Sequence, residues 1–395
     1  LAEAAASDPS AEVRGRAARL LPRAEAEELQ ARIDTFLADA DNRYEHDLPA
    51  WKAFREVVGT DKPARDLYAE LLRSPANLEL LVAVGQPEVE AGKAIADRRL
   101  AIYLKLYPYA FGRVPPGTRV PAPQPPSIAD VAALMLAEVV VDGRYIPRAG
   151  FFTQISAAAF LQQPAPMAAA TNPEGPHGAA FKRLLAKWFD TRTHPEDLSN
   201  YNLINVANHF RTYPETTPLL RRVVSTELPA QQSYIKSQAL MNLVQRNGKD
   251  EQPFLRSLVI ADSERDEGGG LLPLGAGGGL GSVAGRAAFE RRYNVVSTGI
   301  QQVWLGPVGP GPNNVWCQLR DYALAILIVQ TGQNLRDYGY EFPPGIGTNP
   351  NQLTYPNYAF TSEEKREAAI KKWRAWDADR EAESQIKPNP FRRIP

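Results

Sequence analysis

Residues 314–333 read NVWCQLRDYALAILIVQTGQ, one unbroken helical pattern that is apolar nearly all the way round. Val315, Leu319, Tyr322, Ala323, Ile326 and Val329 form a stripe at three- and four-residue spacing, while Leu324, Leu327 and Ile328 fill the opposite side. A helix apolar on both sides must be covered on both sides. It is too short to be a membrane span, and it carries Arg320 and Asp321 within it. The stretch is therefore expected to be the inner helix of a layered, all-α fold.

Outward from it, the chain alternates helical patterns with proline- and glycine-rich punctuation. Toward the N-terminus lies a Gly/Pro-rich insertion at 263–313, which includes DEGGGLLPLGAGGGLGSVAGR at 266–286 and Trp304 among Gly-Pro pairs. An insertion of that length in a compact layer is expected to carry function. Toward the C-terminus, 338–358 is aromatic and Pro-rich. A last helix is expected over 361–380, with Ser362 as N-cap, acids in its first turn, and Ala369, Trp373 and Trp376 on one face. Residues 381–395 are expected to form an extended tail.

The first hundred residues read as helices separated by Pro9, Pro22, Pro49, Pro63 and Pro75. Trp51, Phe54, Val57 and Val58 make one apolar stripe, closed by Gly59, and Leu67, Leu71 and Leu72 make the next. A longer segment over 77–107 is expected to break at Gly85-Gln86-Pro87. VPPGTRVPAPQPP at 114–126 has the character of a stiff polyproline linker. It suggests a division into an N-terminal helical domain (1–113), a linker (114–127) and a repeat-bearing domain (128–380). Within the last, helices are expected at 128–141, 148–163, 178–189, 198–211, 218–225, 230–246 and 251–261. Ala207 and Ala239 hold similar places in successive pairs, about one helical hairpin apart.

Three segments resemble HEAT/armadillo-type repeats, in which a polar turn precedes Val-Arg and then buried Ala and Leu. They are Asp8-Pro9 with Val13-Arg14, Ala17 and Leu20; residues 233–243; and Leu319-Arg320-Asp321 with Ala323-Leu324. Leu48-Pro49-Ala50-Trp51 with Phe54-Arg55, Thr331-Gly332-Gln333 with Asp337-Tyr338-Gly339-Tyr340, and Glu363-Glu364-Lys365-Arg366 with Trp373-Arg374-Ala375-Trp376 are similar to segments of large exported planctomycete proteins of that helical-repeat kind. The resemblance implies an irregular α-solenoid of HEAT-like hairpins with long Pro/Gly-rich insertions. It brings no catalytic residue to transfer.

Charge is balanced, with 45 Lys+Arg against 45 Asp+Glu, which disfavours a nucleic-acid or anionic-membrane partner. Cys317 stands alone, so a disulfide within the chain and a thiolate metal cluster are both excluded. His46, His177, His194 and His209 show no metal-ligand spacing. The glycines at 275–281 lack the preceding strand and the Gly-Lys-Ser/Thr of a phosphate loop, and no Gly-x-Ser-x-Gly elbow occurs. The acidic pairs Glu25/Glu28 and Glu363/Glu364 fall where helices favour acids. No cofactor is expected.

What remains is a binding role. Glycine- and proline-rich arms lose much entropy on ordering and need other subunits to hold them. The candidate partner-binding residues are Leu271, Leu272, Leu274, Leu280, Tyr293, Trp304, Tyr340, Phe342 and Phe391. The expectation is a non-enzymatic scaffold or accessory subunit with protein partners or further copies of itself. It would have no transmembrane segment of its own and would sit at most peripherally on a membrane complex. A start at Leu1 rather than Met suggests a removed leader and an exported or periplasmic location, with the cytoplasm as the alternative. Two other classes fit the sequence. One is an enzyme with a site between the two helical parts. The other is a carbohydrate- or peptide-binding module using Tyr340, Phe342, Tyr355 and Tyr358.

Overall fold

The computed structural model describes residues 49–108, 110, 122–147, 155–172, 174–175, 177–226, 228, 234–266, 318–340, 358, 360 and 362–386. Among these residues every regular element is helical and there is no strand, so the fold is all-α as expected. The chain divides into two compact units, Leu1–Arg222 and Val223–Pro395.

Prolines start helices here rather than only ending them. α1 is Pro49–Val58, α2 Lys62–Arg73 and α3 Pro75–Ala83. Each has proline in its first turn, where the missing N–H has no intrahelical partner to lose. Asp61 caps α2 by accepting from the Ala64 N–H at 3.2 Å. Gly59, at φ +93°, takes the left-handed turn that closes α1. The break expected at Gly85-Gln86-Pro87 separates α3 from α4, Glu88–Leu106.

α5, Ile128–Val140, is the axis of the first unit. Ser127 and Asp130 form a reciprocal capping box at its start. Its residues Ala129 and Val131 through Glu138 are all buried. The alanines at 129, 133 and 137 make a small-residue strip that admits close neighbours, while Leu134, Met135 and Leu136 each contribute about 2 kcal/mol of burial. α1, α2, α3 and α4 pack on α5, and so do α6 (Ala157–Leu161), α7 (Pro164–Thr171) and α8 (Gly178–Thr191). α8 also packs on α1 and α2, more than a hundred residues earlier in the chain. In a repeat stack each hairpin meets only its neighbours. This unit is instead wound about a central helix.

The Pro-rich stretch therefore does not mark a boundary between bodies. Helices on either side of it, α4 and α5 among them, pack together, and the Gln124 N–H donates to the Lys105 carbonyl at 2.8 Å. The helix expected over 148–163 is present only as the short α6 within its described part. α7 begins at Pro164, with proline again in the first turn. The unit continues through α9 (Pro195–Leu198) and α10 (Tyr201–His209) into α11 (Thr216–Ser225), within which the division falls.

In the second unit, α12 (Tyr234–Asn247) leads through a 3-10 turn at Gly248–Glu251 into α13 (Gln252–Asp266). α14, Leu319–Gln330, is the described part of the apolar stretch at 314–333, and every residue from Leu319 to Ile328 is buried. α13 packs on it, as do a 3-10 turn at Leu335–Tyr338 and α15, Glu363–Ile386. The expectation of a helix covered on both sides is met.

Candidate functional site

The densest chemistry in the first unit surrounds Glu138, the one acid in the last two turns of α5. Its side chain has no exposure. One oxygen accepts from the Arg99 Nε at 2.9 Å and from the backbone N–H of Ala157 at 3.1 Å. The other accepts from the Trp188 indole N–H at 2.8 Å and lies 3.7 Å from Arg192 Nη1. Arg192 also donates to the backbone carbonyl of Glu138, and its guanidinium lies 5.4 Å from the Trp188 ring centroid. Burial alone would push this carboxyl upward. The Arg99 and Arg192 charges and the Trp188 hydrogen bond outweigh it and hold the carboxyl below the ordinary glutamate range.

The partners come from three helices or their ends. Arg99 rides on α4, Trp188 on α8, and Arg192 just past the C-terminus of α8. The Ala157 N–H belongs to the first residue of α6, whose N-cap Ser156 makes no capping bond of its own. Glu138 thus supplies the negative charge that the α6 N-terminus favours. Arg192 continues the chain of contacts to Asp197 on α9, at 3.5 Å. Gly143, in a 3-10 turn at Gly143–Tyr145, lies so close to Asp197 that a Cβ there would sit 2.6 Å from its carboxylate oxygen. On the other flank of the turn, a Cβ on Gly92 of α4 would come within 1.9 Å of the Tyr145 carbonyl oxygen.

A second cluster adjoins the first. Arg98, next to Arg99 on α4, donates to Asn77 on α3 and to Asp130 on α5, both at 2.6 Å. Two consecutive arginines therefore grip α5 at positions eight residues apart. At the far side, Arg222 donates to the carbonyls of Phe189 at 2.9 Å and Arg192 at 3.2 Å, a cation at the C-terminus of α8.

The second unit has its own buried carboxylate. Asp321 on α14 accepts from Arg366 on α15 through both guanidinium positions, at 2.6 and 3.1 Å, and from the Gln318 N–H at 2.9 Å. Burial pushes this carboxyl above the ordinary aspartate range, and the Arg366 charge pulls it back only in part. Beside it, Arg320 is buried against Gln318 and reaches Glu367 at 3.2 Å.

Of the residues singled out as partner-binding, only Tyr340 lies among the described residues. It is buried, with its hydroxyl donating to the Asp321 carbonyl at 2.7 Å and its ring centroid 4.3 Å from that of Phe360. Tyr358 is buried in the same aromatic cluster, 6.1 Å from Tyr322. Neither ring lines a groove, so half of the aromatic set considered for carbohydrate or peptide binding packs the interior. Leu271, Leu272, Leu274, Leu280, Tyr293, Trp304, Phe342 and Phe391 lie outside the described residues, as does Cys317. Trp373 is buried and closes the core along α15.

The Glu138 and Asp321 clusters were not foreseen. Their sequence signals are an acid stranded in the apolar run IADVAALMLAEVV and an Arg-Asp pair inside the apolar stretch first read. Among the described residues no group of His, Cys, Asp and Glu could hold a metal ion. No described helix is long and apolar enough to cross a membrane. Comparisons with family models, with curated proteins and with solved structures found no match.

Proposed function

We propose that the protein is a non-enzymatic scaffold or accessory subunit of a larger assembly, with its Gly- and Pro-rich segments as partner-facing arms. The observation that supports this reading is how the buried charges are used. Glu138 is held by Arg99 and Arg192 and Asp321 by Arg366, all from outside their own helices, so both fix helix against helix. Rigid helical bodies of that kind suit the presentation of arms. The α12–α13 hairpin, and α14 with α15, are the parts in which a HEAT-like repeat character is proposed. The partners are other protein subunits or further copies of the chain, in an exported or periplasmic setting.

Size-exclusion chromatography with light scattering on natively purified material tests the reading. The expected result is a particle well above the 43.5 kDa of one chain, with cross-links from residues 266–312 and 387–395 to other subunits. A lone monomer with protease-resistant arms overturns it.

A further inference from the structure

We draw no further inference here: the strongest candidate, the partly exposed apolar stripe of Val89, Leu100, Tyr103 and Tyr107 along α4, carries none because nothing in the structure shows what covers it.

Discussion

Arg192 holds Glu138 twice, donating to its backbone carbonyl and standing 3.7 Å from its carboxylate. One guanidinium thus fixes both the path of α5 near its C-terminus and the direction of its buried acid. Arginine suits this because its planar fork stays charged when buried.

Replacing Glu138 with Gln keeps the shape and removes the charge. Arg192, buried to the same degree as the core, then loses one of its two carboxylate neighbours. The expected cost is about 3–5 kcal/mol, the range for breaking a buried pair from one side. Denaturant unfolding measures it. In a double-mutant cycle with Arg99→Met the two losses should be far from additive, because the residues share one network. Additive losses would show that Arg99 and Glu138 do not act together.

Gly92→Ala places a methyl group on a backbone carbonyl, which cannot rotate aside. The expected destabilisation is on the order of 1–3 kcal/mol or more, typical of forced overpacking. Gly143→Ala meets a side-chain carboxylate instead, and Asp197 can swing away at the expense of its contact with Arg192. Thermal unfolding should rank the two, with Gly92→Ala the more damaging; the reverse order would mean that the turn, not α4, yields.

Acid should loosen the first unit through Glu138. Its folded pKa lies below its unfolded value, so the unfolded chain binds the proton more readily. The stability it contributes is complete above the ordinary glutamate range and is lost as pH falls through the folded value. Hydrogen exchange of peptides covering 128–140 should quicken as pH is lowered, after correction for intrinsic exchange. Glu138→Gln should flatten that dependence, and an unchanged slope would refute it.

Asp321 carries the opposite sign. Its folded pKa is raised, so its contribution is complete below the ordinary aspartate range and diminishes as pH rises through the folded value. Asp321→Asn should therefore remove the loss of stability that accompanies rising pH while sacrificing the bidentate pair with Arg366. Arg366→Ala leaves the buried carboxyl without its arginine and should move its titration further up in pH, whereas Asp321→Asn abolishes that titration. Exchange along 319–330 as a function of pH distinguishes the two variants.

Helix starts were legible because proline and capping residues act locally. Pro49, Pro63 and Pro75 announce α1, α2 and α3, and Gly59 announces a stop. The burial of α14 was legible too, since an apolar surface on every side leaves no other outcome. The Glu138 site was not legible. Arg99, Glu138, Ala157 and Trp188 are tens of residues apart, and periodicity along one helix says nothing about which helix lies across from it. The Pro-rich stretch misled for a related reason. Proline there stiffens the chain locally, but the surfaces buried between α4 and α5 decide which helices share a core. Tyr340 and Tyr358 looked like surface rings because of the prolines around them, yet their phenol rings have enough apolar area to pack against Tyr322 and Phe360.

Asp130 serves two masters, closing the first turn of α5 through Ser127 and receiving Arg98 from α4. The start of the central helix is thus a joint event between segments separated by the Pro-rich stretch. Two peptides made by cutting the chain there would each keep half of an ion pair and half of a core. Neither should form the first unit alone, whereas the mixture should recover its helicity by complementation.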